Sequence, residues 1–144
     1  LKVLVGEDNP GDQMLLSKAF AKCEKNVELN FVSSGDEIIE YLRNSLNTNC
    51  TEVKPDILIL DINLPGRNGF DVLVHCKKSD NFRDIPIIMM SGSMNLDDLE
   101  KSYSNFCSGY LRKSDDLEKL NMMVNNTINY WSSVVTVGMQ YEYC

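Results

Sequence analysis

Five residues of types useful for phosphoryl transfer stand at the ends of short segments that read as strands. They are Glu7 and Asp8 after Leu1–Val5, Asp61 after Ile57–Leu60, Ser91 after Ile85–Met90, and Lys113 after Gly109–Arg112. Three carboxylates brought into one crevice repel one another unless a cation sits among them, and oxygen ligands of this kind suit Mg²⁺. Mg²⁺ takes a few carboxylates, a carbonyl and several waters, so one oxygen of Asp61 would stay free to attack phosphorus. The backbone carbonyl of Asn63, two residues further on, is a candidate extra ligand. The ion, the Lys113 ammonium and the Ser91 hydroxyl would stabilise the equatorial oxygens of the transferred group from different sides. The product would be an acyl phosphate on Asp61. Taken singly, an Asp after a strand is more often a helix cap and a Lys there a solvated group. Joint placement at the ends of predicted strands carries the reading.

Those residues need elements to hold them, and the chain reads as five alternations of strand and helix. Leu1–Val5, Val27–Val32, Ile57–Leu60, Ile85–Met90 and Gly109–Arg112 are the predicted strands, short and largely apolar. Between them come helical spacings: Leu15, Leu16, Ala19, Phe20 and Cys23; Ile38, Ile39, Leu42 and Leu46; Val72, Leu73 and Cys76; Leu96, Leu99 and Tyr103. Leu117, Leu120, Val124, Thr127, Ile128 and Trp131 mark the buried face of a last helix. Buried-type strands joined by helices predict an α/β, doubly wound five-stranded parallel sheet with helices on both faces. In such sheets function collects at the carboxyl ends of the strands, where all five residues fall. The polar stretch 44–54 reads as an exposed loop. The tail 132–144, with Val134, Val135, Val137, Tyr141 and Tyr143, reads as an added strand, a dimer contact or a disordered end.

Composition narrows the function classes. A chain of 144 residues suits one domain, and 43% hydrophobic with 24% charged residues is an ordinary globular balance. No run of about 18 apolar residues is available to cross a bilayer. A formal net charge of −7 does not suit a nonspecific grip on nucleic acid, which rests on Lys and Arg. The five cysteines, Cys23, Cys50, Cys76, Cys107 and Cys144, are widely spaced and lack a C-x-x-C pair. They read as free thiols in a reducing compartment, two or three of them buried. The chain opens on Leu1 with an apolar strand and no leader pattern, so a cytoplasmic location is expected, for a processed product or a piece of something longer. The single histidine, His75, lies within the third helix and gives no support to a histidine hydrolase or zinc site. Neither a G-x-x-x-x-G-K-[ST] loop nor a G-x-G-x-x-G fingerprint occurs.

With the acidic pair, Asp61-Ile62-Asn63-Leu64-Pro65-Gly66 and Gly69, Ser91-Gly92 and Lys113 in place, residues 2–131 resemble response-regulator receiver domains, which have a flavodoxin-like fold. The Glu7-Asp8-Asn9-Pro10-Gly11-Asp12 opening is most similar to small stand-alone regulators paired with phytochrome-type histidine kinases. The resemblance implies that Glu7, Asp8, Asp61 and the Asn63 carbonyl hold Mg²⁺ and that Asp61 is the phosphoacceptor. It implies that Ser91 and Lys113 bind the phosphoryl group, that Gly92 leaves it access, and that Tyr110 is an aromatic switch coupled to Ser91. It further implies a single-domain regulator, residues 1–131, phosphorylated by a sensor histidine kinase or phosphotransfer protein, with no catalytic activity beyond gaining and losing its own phosphoryl group. Homodimerisation through the switch face or the tail fits the same picture. Two alternatives stay open: a receiver cut from a longer transcription factor or hybrid kinase, and a degenerate module that only binds a partner. The family usually has Pro after the Lys, in a cis bond; Ser114 stands there, so the Lys113 loop is expected to be strained or built differently. Haloacid-dehalogenase-like phosphatases, which also use an Asp nucleophile, fit less well, because Asn63 stands where their D-x-D-x-T motif needs its second Asp.

Overall fold

The computed structural model describes residues 1–134. The tail residues Val135, Val137, Tyr141 and Tyr143, and most of the predicted tail segment 132–144, lie outside the described residues. The chain runs β1 (Lys2–Gly6), α1 (Pro10–Ala21), β2 (Glu28–Val32), α2 (Gly35–Asn44), β3 (Ile57–Asp61), α3 (Gly69–Lys78), β4 (Ile87–Ser91), α4 (Leu96–Ser104), β5 (Gly109–Arg112) and α5 (Leu117–Asn129). A π-helical turn, Tyr130–Val134, continues α5. All strand pairs are parallel, in the order β2-β1-β3-β4-β5. This is the doubly wound sheet that the alternation predicts.

Each helix begins where its sequence supplies a cap. Asn9, Ser34, Asn68, Asn95 and Asp116 each accept a backbone N–H of the first turn through the side chain. Asp71 returns a bond to the Asn68 backbone, completing a capping box on α3. Each cap satisfies orphan N–H groups and contributes about 1 kcal/mol.

The strands alternate strictly between two cores, because successive side chains point to opposite faces. Leu4, Leu58, Leu60, Ile87 and Met89 pack with Ile38, Leu42, Val72 and Leu73 from α2 and α3. Val3, Val5, Ile57, Ile59, Ile88 and Met90 pack on the other face with Leu16, Phe20, Leu120, Val124 and Ile128 from α1 and α5. Continuing that alternation to the strand ends puts Glu7 and Asp61 on the α1 and α5 side. Ser91 and Tyr110 fall on the opposite side, and Tyr110 packs against the first core.

Three expectations from helical spacing need correction. Leu46 is not on an inner face: α2 ends at Asn44 and Leu46 is half exposed. On α4 only Ser102 is buried, and Leu96 and Tyr103 face outward, Leu96 being 73% exposed. Leu117, in the first turn of α5, is also exposed. In each case the residue lies at an element's end or on an element at the sheet edge, where only part of the helix meets the core. Cys76 and Cys107 are buried while Cys23 and Cys50 are half-buried, and all four are free thiols.

Candidate functional site

The carboxyl end of the sheet gathers a buried polar group. Glu7 is 0%, Asp61 5% and Ser91 1% exposed, set among apolar neighbours. Glu7 continues the β1 ladder, its N–H donating to Val32 O at 3.0 Å, so its side chain is turned inward. Asp61 ends β3; its Oδ1 accepts the Asn63 N–H at 2.9 Å. The chain then turns through Gly66, whose φ of +67° is the left-handed conformation that glycine tolerates. Gly69 begins α3 directly beneath Asp61, where a Cβ would lie 2.5 Å from the Asp61 carbonyl oxygen. The absence of a side chain there lets α3 approach the strand end.

Lys113 reaches this cluster from the end of β5. Its Nζ donates to Asp61 Oδ2 at 2.5 Å, Glu7 Oε2 at 2.8 Å and Asp12 Oδ2 at 3.2 Å. The Lys113 N–H is fixed by Ser91 O at 2.7 Å. No cis peptide bond occurs among the described residues, so Lys113–Ser114 is trans. Of the two expectations for this loop, it is built differently: the backbone bond to Ser91 and the three side-chain carboxylates hold Lys113 in place.

The charges are unevenly shared. Burial, then hydrogen bonding to Asp61, push Glu7 up to about 8, partly opposed by Lys113. Burial alone would raise Asp61 too, but bonds from Glu7, Lys113 and the Asn63 N–H carry it below the ordinary carboxylate range. Burial would lower Lys113, and its bonds to Asp61 and Glu7 outweigh that and raise it. The Lys113 ammonium is thus the positive charge that offsets the burial of both carboxylates.

Glu7, Asp8 and Asp61 place ligand oxygens within 4.8 Å of one another, a group able to hold a divalent cation. The fit is supported by Glu7 Oε1, which is buried and has no hydrogen-bond partner. An orphaned acceptor of that kind is costly unless a cation or water meets it. Asp8 is the exposed member and lines a groove with Asn63, Asp98 and Lys101.

The remaining sequence candidates are distributed around this centre. Ser91 Oγ accepts the Ser93 N–H at 3.2 Å. Gly92 lines the cavity over Asp61, and nothing lies within 4 Å of the position its Cβ would take. The Tyr110 hydroxyl is buried without a hydrogen-bond partner. His75 is exposed, as its position in α3 implies. Two neighbours of the site escaped the sequence reading. Gln13 Nε2 donates to Glu7 O at 2.5 Å and so ties α1 to the acidic loop. Asp12, which sequence spacing explains as a first-turn helix residue, also reaches Lys113. The only sequence signal for either was its nearness to the acidic pair at the start of α1.

A parallel sheet whose strand ends bring an acidic trio against one lysine defines a carboxylate-centred, cation-binding α/β domain. Comparison with known proteins makes that class specific: the chain belongs to the response regulator receiver domain family, whose model matches residues 3–125. It is 32% identical over 129 residues to the probable methanogenesis regulatory protein FilR2 of Methanothrix harundinacea, covering 90% of this chain and 82% of that one. Response regulator Rcp1 of Synechocystis is 28% identical over 135 residues, with 94% and 91% covered. The crystal structure of the phosphorylated cyanobacterial phytochrome response regulator RcpA superposes with a TM-score of 0.85 at 32% identity, covering 96% of this chain and 98% of that one. The Mn²⁺-bound form of Rcp1 superposes with a TM-score of 0.84 at 28% identity, covering 96% and 99%. Among the described residues no helix is long and apolar enough to cross a membrane.

Proposed function

We propose that residues 1–131 form a single-domain response regulator that takes a phosphoryl group onto Asp61 from a phosphohistidine of a sensor kinase or phosphotransfer protein. The observation that carries this reading is the buried Asp61 carboxylate, bonded to Lys113 beside a trio suited to a cation. Glu7, Asp8 and Asp61, with the Asn63 carbonyl, would hold Mg²⁺. Bound there, the ion supplies charge neutralisation for the phosphoryl oxygens. An Asp61 oxygen attacks phosphorus in line; the new O–P bond forms as the donor's N–P bond breaks, and the electron pair stays with the imidazole. Lys113 turns an N–H from a carboxylate to the new phosphoryl group, and the Ser91 hydroxyl donates a second bond from the other side. Gly92 leaves that approach open. Water attack on phosphorus later returns free Asp61 and inorganic phosphate, so gain and loss of this group are the only chemistry the domain performs.

Charge added at the strand ends becomes a surface change through Ser91 and Tyr110. Both lie on the same side of the sheet by the alternation of β4 and β5, and the unpartnered Tyr110 hydroxyl leaves the ring free to change rotamer at little hydrogen-bond cost. Movement of Ser91 toward the phosphoryl group opens space for Tyr110 and alters the α4, β5 and α5 face that a partner protein reads. A second copy of the chain is one candidate partner, checked by the mass in solution with and without the phosphoryl group.

The test is intact mass after incubation with Mg²⁺ and acetyl phosphate, beside Asp61→Asn. One added phosphoryl group, absent in the variant and after chelation of Mg²⁺, is expected. A parent that stays unmodified across donors and short quench times would leave only a module that binds partners without phosphorylation.

A further inference from the structure

Building on the phosphoacceptor reading, we infer that Asp12 is a positioning residue for Lys113. It is a resident counter-ion that the incoming phosphoryl group must displace, and it therefore slows phosphoryl uptake. An ammonium has three N–H donors, and in Lys113 all three are committed to carboxylates: Asp61, Glu7 and Asp12. Two of these partners have a second task, because Glu7 and Asp61 belong with Asp8 to the group suited to a cation. Asp12 does not belong to that group. When oxygens of Glu7 and Asp61 turn toward an ion, Asp12 is the carboxylate left to hold the ammonium.

The local structure fixes Asp12 where it can do this. It sits in the first turn of α1, its N–H bonded to the Asn9 cap at 3.1 Å. The α1 and α5 side of the sheet is also the side on which Glu7 and Asp61 project. The Asp12 side chain, 39% exposed, lines an open cavity of about 270 Å³ with Leu15, Asp61, Lys113, Ser114 and Asp115. A phosphodonor that enters by this cavity meets the Asp12 charge before it reaches Asp61.

Transfer then changes the balance around Lys113. With acetyl phosphate, the Asp61 O–P bond forms as the donor's O–P bond breaks, and acetate leaves with the electron pair. No proton moves to or from Asp12. The negative charge carried on Asp61 grows, and the ammonium is drawn away from Asp12 toward the phosphoryl oxygens. Asp12 opposes this step by holding the ammonium back and by repelling the new charge. Stabilisation of the starting arrangement, without equal stabilisation of the transition state, slows the step.

The experiment compares the full chain with Asp12→Asn and Asp115→Asn. Asp115 is exposed and lines the same cavity, yet makes no bond to Lys113, so its variant removes the same charge without touching the pair. With Mg²⁺ and acetyl phosphate, the rate of uptake read by intact mass should rise roughly three- to tenfold in Asp12→Asn and less than about twofold in Asp115→Asn. Raising the salt concentration should leave the Asp12 effect largely in place, since a contact pair is screened far less than a distant charge. No acceleration in Asp12→Asn, or equal acceleration in both variants, overturns the inference. A parent that takes up no phosphoryl group defeats the phosphoacceptor reading instead. The pairing is still tested in the metal-free protein, where the Lys113 ammonium ¹⁵N–¹H signal should exchange faster with water in Asp12→Asn but not in Asp115→Asn. An unchanged signal in Asp12→Asn overturns the pairing itself.

Discussion

Leu60 and Asp61 are neighbours on β3, and both are buried, but they belong to regions held together by different physics. Below Leu60 the strands alternate between two apolar cores in which almost every side chain removes surface from water, worth about 1.5–3 kcal/mol for a fully buried Leu or Ile. From Asp61 upward the same strands carry carboxylates, a hydroxyl and a lysine to the floor of a cavity of about 270 Å³. There, several acidic groups share one ammonium, and an orphaned oxygen remains on Glu7. The apolar end is built for stability. The polar end has desolvated charge and keeps groups poised for an ion and an anion, so function and stability separate within one residue along a strand.

The sharpest way to break that contrast is to change Asp61 and then Leu60. Asp61→Asn replaces the attacking carboxylate with an amide, a far poorer nucleophile, and phosphoryl uptake is expected to fall by at least about 10³-fold. Its unfolding free energy should move by less than about 1 kcal/mol, because Lys113 keeps Glu7 and Asp12 as partners while one of the crowded negative charges is lost. A chemical denaturation curve showing a loss of several kcal/mol would mean that the polar end is structural after all. Leu60→Ala, one residue earlier, should cost roughly 2–5 kcal/mol by the same measurement, the range for emptying a packed core position. Its remaining folded fraction should still take up phosphoryl groups.

Gly69→Ala tests the boundary between the two regions. Its Cβ would meet the Asp61 carbonyl oxygen at 2.5 Å and the Ile62 Cα at 2.9 Å, backbone atoms that cannot swing aside. The variant should lose about 1–3 kcal/mol through this overpacking and also slow phosphoryl uptake by displacing Asp61. A loss of stability with unchanged uptake kinetics would show that the site tolerates movement of its supporting backbone.

The two regions were not equally legible in the sequence. Short apolar runs such as Ile57–Leu60 mark the central strands, because the middle of a parallel sheet covered on both faces takes apolar residues at nearly every position. The site residues were legible for a related reason: Glu7, Asp61 and Ser91 stand where apolar strands end, and the strand–helix alternation puts Lys113 at the end of the fifth strand. Helix faces at the rim were less clear. Leu96 and Tyr103 have the spacing of an inner face, but α4 lies at the β5 edge and buries only Ser102. Periodicity reports that a helix has a stripe, not whether the fold supplies something to cover it. Asp12 was hidden for another reason. Its residue type is fully explained by the first turn of a helix, and its second contact, with a lysine 101 positions away, exists only once the sheet has formed.

The smallest expected effect comes from the end of α4, where the polar and apolar principles give way to backbone geometry. Phe106 has φ +67°, the left-handed conformation that costs a residue with a side chain roughly 1–2 kcal/mol. The hydrogen bonds explain why it is held there. The Phe106 N–H donates to Tyr103 O at 3.0 Å and the Cys107 N–H to Ser102 O at 3.1 Å, the paired closure of a Schellman motif. That motif commonly has glycine where Phe106 stands, and the Phe106 ring, 75% exposed, gains little from burial in return. Phe106→Gly should therefore raise the unfolding free energy, by up to about 1 kcal/mol after the added chain entropy of glycine is subtracted. Phosphoryl uptake at the distant strand ends should not change. A destabilised variant would mean that the exposed ring contributes packing that outweighs the backbone strain, and the site at β3 would then no longer be the part of this fold where local cost is kept for a purpose.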